Sequence, residues 1–129
     1  MQGRKESIDK KSENKRTVGK EYEDISTKYL QDNGLVIIER NFYTKFGEID
    51  IIARDNKTIV FVEVKYRKQE CNYQALEAVT PIKMKRITKS AYAYIMFKKL
   101  PMNGFYRFDC IGITGKEIIW IKNAFNATR

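Results

Sequence analysis

The sequence predicts an α/β protein with a mixed central sheet flanked by helices. Two observations support this class: short runs rich in β-branched residues alternate with longer stretches whose apolar residues recur at helical spacing. In chain order the elements are helix, three strands, helix and two strands. This order predicts layered α/β architecture, with one helix contributed from each side of the three-strand unit.

The first helix is predicted from about Thr17 to Asn33. Gly34 is well placed to end it, because glycine readily adopts the left-handed conformation at a helix C-terminus. The predicted buried stripe of this helix consists of Val18, Tyr22, Ile25 and Tyr29. A first strand is then expected over residues 35–43.

The next two strands, residues 48–54 and 58–67, form a predicted hairpin that carries the most informative residues of the chain. If Asn56-Lys57 form a two-residue loop, Asp50 lies opposite Glu63 and Glu48 lies opposite Lys65. A three-residue loop would break this register. Carboxylates directly across a ladder have Cβ atoms roughly 5 Å apart, and a divalent cation with oxygen ligands would offset their repulsion.

The acids of the hairpin lie among apolar side chains on both faces of the predicted strands. Because side chains alternate along a strand, Ile52, Ile59 and Phe61 share the face of the acids. The other face is predicted to hold Ile49, Ile51, Val60, Val62 and Val64. Unpaired charge between two covered faces is costly. The alternative is a solvated sheet face with one Glu48–Lys65 ion pair.

The second half of the chain supplies a helix and two strands. Thr80-Pro81 is a strong helix start, since threonine caps the first turn and proline fits it. The helix is expected to reach about Lys98, before Pro101 and Gly104. Its predicted buried stripe consists of Ile87, Ala91, Tyr94 and Ile95. Strands are expected over residues 106–113 and 117–124, turning at Gly115.

The composition excludes some kinds of catalytic and metal site and favours one class of partner. The 129 residues, enough for one domain, carry a formal net charge of +9 and no histidine. Histidine-based triads and histidine-ligated zinc sites are therefore excluded, and the charge favours a polyanionic partner, chiefly nucleic acid.

Residues 1–16 are predicted to form a disordered basic tail. Cys71 and Cys110 suggest neither a disulfide framework nor a zinc site. A reduced cytoplasmic setting is expected, without membrane insertion.

Four segments together resemble a known family. Asp50 followed by Glu63-x-Lys65 matches the loose signature of the restriction-endonuclease-like superfamily. The segments are Phe46–Arg54, Val60–Arg67, Glu77–Lys83 and Arg107–Asp109. They resemble the YraN-like family of small bacterial proteins, uncharacterised protein family 0102. The resemblance covers about residues 17–125.

The resemblance implies a single restriction-endonuclease-like domain over residues 17–129, with an αβββαβ core similar to archaeal Holliday junction resolvases. It implies a Mg²⁺- or Mn²⁺-dependent nuclease in which Asp50 and Glu63 bind the metal, with the Val64 carbonyl beside them. Glu23 on the first helix is the matching helix acid, and Lys65 would polarise the attacking water. Glu48 would pair with Lys65 and hold its ammonium group in place. The family usually has glycine at the position of Tyr22 and threonine at that of Tyr66.

A nucleic-acid contact surface is expected around these acids. Its predicted members are Lys45, Arg67, Lys68, Lys83, Lys85, Arg86 and Lys89. Such phosphate contacts give affinity without sequence specificity, so structure-selective or non-specific binding to DNA is expected. The competing hypothesis is a non-catalytic nucleic-acid-binding module with the same fold. A homodimer is possible, through residues 92–97 or the terminal strand with Trp120.

Overall fold

The computed structural model describes residues 19–67, 79–115 and 117–127. The predicted tail over residues 1–16, the beginning of the first helix, the loop expected over residues 68–74, Lys68 and Cys71 lie outside these ranges. The described ranges contain two helices and five strands, in the predicted order.

Helix α1 is described over residues 19–32, and helix α2 spans Pro81–Phe97. The strands are β1 (Val36–Thr44), β2 (Gly47–Asp55), β3 (Thr58–Arg67), β4 (Phe105–Thr114) and β5 (Glu117–Phe125). They form one five-stranded sheet in the order β1-β2-β3-β4-β5. The β3–β4 pair is parallel and the other three pairs are antiparallel. The predicted α/β class with a mixed sheet is confirmed, and it is compatible with a restriction-endonuclease-like fold.

The two helices cover opposite faces of the sheet. Ile87, Ala91, Tyr94 and Ile95 of α2 pack with Phe61 and its neighbours in one cluster. Leu30 of α1 packs with Ile51, Val60 and Val62 in another. The predicted buried stripe of α2 is therefore confirmed. Thr80 caps the helix through its side-chain oxygen, which accepts a hydrogen bond of 3.2 Å from the Lys83 amide.

The predicted stripe of α1 is wrong at one position. Ile25 is 42% exposed, whereas Ser26 and Leu30 are fully buried. Tyr22, Ser26 and Leu30 are spaced four residues apart, so the buried face runs through a small polar residue that hydrophobicity alone did not select. The helix ends as predicted: Gly34 has φ +91°, and the Leu35 amide donates to the Leu30 carbonyl at 3.0 Å.

Strand alternation breaks in β2 just before the acids. Ile51 packs on the α1 side of the sheet as predicted, but Ile49 packs on the α2 side. The expectation that both share one face is therefore wrong. The opposite strand β1 is also irregular here, since Asn41 has φ +53° and its neighbour Phe42 joins the α2 side. The pairing of β1 with β2 passes over Asn41 and Asp50, and the change of face falls at this position.

A buried carboxylate ties β4 to β5. Asp109 is fully buried and accepts hydrogen bonds from the Arg107 guanidinium, the Trp120 indole and the Asn123 amide, at 2.8–3.0 Å. Arg107 also bonds Asp55 at 3.1 Å, next to the hairpin turn. The network holds the edge strand β5 onto the sheet.

Neither of the described helices is long and apolar enough to cross a bilayer. Met96 and Phe97 at the end of α2 are each 70% exposed, whereas Tyr94 and Ile95 are buried. The stretch over residues 92–97 is therefore partly core and partly surface, and the homodimer stays a prediction.

Candidate active site

A cleft of about 420 Å³ lies between the sheet and the first half of α2. Its walls carry three acids from the hairpin, Glu48, Asp50 and Glu63, and two cations from α2, Lys83 and Arg86. Opposite charges thus meet in one concave site, at the position where the sequence predicted chemistry.

The cleft forms where β2 and β3 separate. Their ladder runs from Asp55↔Thr58 to Ile51↔Val62, which confirms the predicted register. Beyond that pair β2 stays paired with β1, and β3 stays paired with β4. Asp50 and Glu63 are the next residues on each strand, so both acids lie at the fork.

Asp50 is held at the fork by the backbone of the neighbouring strand. Its Oδ2 accepts a hydrogen bond of 2.8 Å from the Val64 amide. Burial, and next the charge of Glu63, raise the pKa of the Asp50 carboxyl to about 8, although the Val64 bond opposes the shift. The negative charges of Glu23 and Glu48 raise it further. A carboxylate here needs positive charge nearby in order to ionise at neutral pH.

Glu63 finds its positive charge on α2. Lys83 Nζ lies 2.5 Å from Glu63 Oε1. The Glu63 side chain is only 11% exposed, and the Lys83 side chain is 48% exposed. The ammonium group therefore lies on the solvent side of the acid, where it neutralises Glu63 but not Asp50.

Glu23 reaches the same electrostatic environment from α1. Its Oε1 is 3.8 Å from the Arg40 guanidinium, and this buried oxygen has no hydrogen-bond partner among the described residues. Burial is the largest cause of its raised pKa; Arg40 and Asn41 counteract it in part, and Glu48 adds to it. The charge of Glu23 in turn raises the pKa of Asp50, and the role that the resemblance implies for Glu23 stays a prediction.

The Glu48–Lys65 pairing predicted from the register is wrong as a ladder pair, because the strands diverge before reaching it. Glu48 lies opposite Tyr43 of β1, and its charge raises the pKa of the Tyr43 hydroxyl. Lys65 is buried, and burial lowers the pKa of its ammonium group. Glu63 is the carboxylate whose charge counteracts this shift.

The acids suit a hard divalent cation in number and type, but they are not gathered into a finished cage. Among the described residues, no group of three or more potential ligand side chains is close enough to hold a metal ion. Mg²⁺ usually needs only one or two carboxylates, with water completing its shell. Asp50 and Glu63 meet that requirement, and Lys83 now supplies positive charge at Glu63.

The six described residues of the predicted nucleic-acid contact surface differ in their surroundings. Lys83 and Arg86 line the cleft, and Lys45 and Lys89 lie beside it around Phe46. Arg67, at the end of β3, donates a hydrogen bond to the Tyr66 carbonyl. Lys85 is exposed and takes part in none of the ion pairs found in the described ranges.

Two features of the site escaped the sequence interpretation. Lys83 was predicted only as a substrate contact, and its pairing with Glu63 depends on the packing of α2. The rings of Tyr22 and Tyr66 stack at 4.0 Å and 17°. The resemblance leads to the expectation of glycine and threonine at these two positions, so the two tyrosines together were the available signal of contact.

Comparison with known proteins gives a consistent set of relatives. A model described as Uncharacterised protein family UPF0102 matches residues 22–113. A UPF0102 protein of Vibrio parahaemolyticus is 44% identical over 114 residues, which cover 87% of this chain and 94% of the relative. One of Fusobacterium nucleatum is 48% identical over 110 residues, covering 85% and 92%. One of Aliivibrio fischeri is 44% identical over 117 residues, covering 88% and 95%.

Proposed function

We propose that this chain, which belongs to the uncharacterised protein family UPF0102, is a divalent-metal-dependent nuclease that hydrolyses phosphodiester bonds in DNA. The observation that carries the proposal is the fork between β2 and β3, where two inward carboxylates face a cleft rimmed by cations. Burial and the charges of the neighbouring acids raise the pKa of the Asp50 carboxyl to about 8. Perturbed acids in a cleft are typical of functional sites.

Asp50 and Glu63 would hold the cation, and Glu23 would orient a water molecule of its shell. When bound, a Mg²⁺ or Mn²⁺ ion stabilises charge on phosphoryl oxygens and makes water more acidic. The binding of the ion would lower the pKa of Asp50, because positive charge favours the carboxylate form. The same surplus of negative charge that destabilises the free site would thus favour cation binding.

The cations of the cleft have separate tasks in this proposal. Lys65, buried next to Glu63 on β3, would hold and polarise the attacking water. Lys83 and Arg86 line the solvent side, where the phosphate backbone of a substrate would enter. Neither side chain reads a base, so they would support structure-selective or non-specific cutting.

A non-catalytic DNA-binding module is the second candidate, and two observations favour it. The Lys83–Glu63 pair already neutralises one of the two strand acids, and the described residues contain no preassembled set of three ligands. In such a module the basic rim would bind DNA and the acids would be structural.

The decisive experiment combines hydrolysis with cation binding. Purified protein is incubated with linear, flapped and four-way-junction DNA in Mg²⁺ or Mn²⁺, and cation binding is measured by calorimetry. We expect hydrolysis and binding in the wild type and neither in Asp50→Ala. Asp32→Ala, an exposed acid at the end of α1, is the matched control and should retain both. Wild-type protein that binds DNA but neither binds the cation nor cuts the DNA would support the module.

Lys83→Gln should strengthen cation binding. Removal of the ammonium group leaves Glu63 without its competing positive charge. Ion pairs near a surface contribute about 0.2–1 kcal/mol, so we expect up to about a fivefold lower Kd for Mg²⁺ or Mn²⁺ by calorimetry. Lys85→Gln removes an exposed lysine of the same helix and is the control. An equal change in both variants would mean that only overall charge matters.

A further inference from the structure

Phe46 lies in the turn between β1 and β2, at the edge of the carboxylate cleft. Its neighbours Gly47 and Glu48 line that cleft. The turn is fastened to α2, because the Thr44 and Ser90 hydroxyls are hydrogen-bonded at 2.9 Å, and the Phe46 amide donates to Thr44 Oγ1 at 3.0 Å. The backbone of the turn that carries the ring is therefore fastened beside the cleft.

Core packing does not explain this phenylalanine. Within the described ranges, Phe46 belongs to none of the hydrophobic clusters and to none of the aromatic ring pairs. By contrast Phe42, four residues earlier, packs against Tyr94 and Phe97. A large apolar ring held at a site edge without a core partner is available for a ligand.

Two lysines provide the chemistry around the ring. Lys45 Nζ lies 5.2 Å and Lys89 Nζ 5.3 Å from the ring centre. Neither lysine takes part in an ion pair found in the described part of the chain. Two ammonium groups that lie over one aromatic ring match a nucleotide, whose base can take their place on the ring while its flanking phosphates accept their charge.

We propose that Phe46, with Lys45 and Lys89, forms a stacking platform for an unpaired DNA base at the mouth of the carboxylate cleft. This inference rests on the proposed function and names its substrate class. Bases inside a duplex are already stacked on their neighbours, so only a single-stranded nucleotide can use the ring. The preferred substrate is therefore DNA in which a single strand adjoins a duplex, as in tails, flaps and branch points.

The test compares two fluorescent hairpin DNAs, one blunt and one with a single-stranded thymidine tail. Binding is measured by anisotropy in Ca²⁺ and separately in EDTA. Stacking contributes about 1–3 kcal/mol per base, which is about 5- to 150-fold in Kd. We expect Phe46→Leu to weaken binding of the tailed DNA by at least fivefold and of the blunt DNA by less than twofold. Phe46→Trp should retain the tail preference.

Phe105→Leu is the matched control. Phe105 is 68% exposed and outside the same clusters, but it pairs with Thr58 at the opposite end of β3 from Glu63. Its variant should bind both DNAs as the wild type does. Equal weakening of both DNAs in Phe46→Leu, no weakening of either, or no tail preference in the wild type would each overturn the platform.

Hydrolysis in Mg²⁺ or Mn²⁺ is scored in parallel, so that the two proposals fail separately. If the preference for tailed DNA depends on Phe46 but no hydrolysis occurs, the stacking platform is supported and the nuclease is contradicted. If hydrolysis depends on Asp50 but is the same with and without Phe46 and the tail, the nuclease is supported and the stacking platform is contradicted.

Discussion

Asp109→Ala should lower the free energy of unfolding by about 3–5 kcal/mol, the range for breaking a buried ion pair from one side. Asp109 is fully buried and accepts four hydrogen bonds. Its removal leaves the Trp120 indole and the Asn123 amide without their acceptor, and leaves Arg107 with Asp55 alone. The cost is largest where water cannot replace the lost acceptor, as at the Arg107 guanidinium, whose side chain is 18% exposed. Urea unfolding followed by far-ultraviolet circular dichroism measures the change in every variant.

Two variants separate this network from general loss of packing. Trp120→Phe keeps an aromatic ring beside Tyr29 and removes only the indole donor, so we expect a loss of about 1 kcal/mol. Asp32→Ala changes an exposed acid and should stay within about 0.5 kcal/mol of the wild type. A loss below about 1 kcal/mol in Asp109→Ala would show that β5 is held by apolar packing instead.

Local signals predicted most of the fold. Thr80-Pro81 identifies the start of α2 because capping and proline geometry act within one turn. Asn56-Lys57 fixes the register of the hairpin because a two-residue turn leaves one arrangement, with Asp55 opposite Thr58. The sequence alone could therefore place the two acids at neighbouring positions of two strands.

The predictions that were wrong concern contacts between residues that are distant in sequence. Ile49 and Ile51 pack on different faces of the sheet next to the irregular position of Asn41, and no period within β2 reports that change. The Lys83–Glu63 pair joins residues on different elements, so spacing could not reveal it. The sequence could place the acidic residues of the site on their strands. It could not identify the partner of each residue, because that partner depends on how α2 packs.

Asp50→Asn should stabilise the metal-free protein at pH 8, and by progressively less as the pH falls toward 4. The folded-state pKa of Asp50, about 8, lies above the value of about 3.9 for an unfolded chain. The folded state therefore holds a proton that the unfolded state has lost, and stability falls as pH rises through this window. Asparagine cannot ionise, so it removes that part of the fall. Each pKa unit corresponds to about 1.4 kcal/mol, and we expect a gain of about 1–3 kcal/mol at pH 8.

Urea unfolding at pH 5, 6, 7 and 8 in EDTA tests this expectation, and the same series with Mg²⁺ or Mn²⁺ tests the site. A cation that binds only the folded state should stabilise the wild type more at higher pH, where Asp50 gives up its proton, and should leave Asp50→Asn unchanged. Asp32→Asn removes an exposed charge and should keep the wild-type slope. Glu23 also has a raised pKa and contributes a slope of the same sign, and because its charge raises the pKa of Asp50, the difference between the variants reports Asp50 together with its interaction with Glu23. If Asp50→Asn were less stable than the wild type at pH 8 in EDTA, the hydrogen bond from the Val64 amide would outweigh the repulsion among the acids, and the carboxylates would be structural.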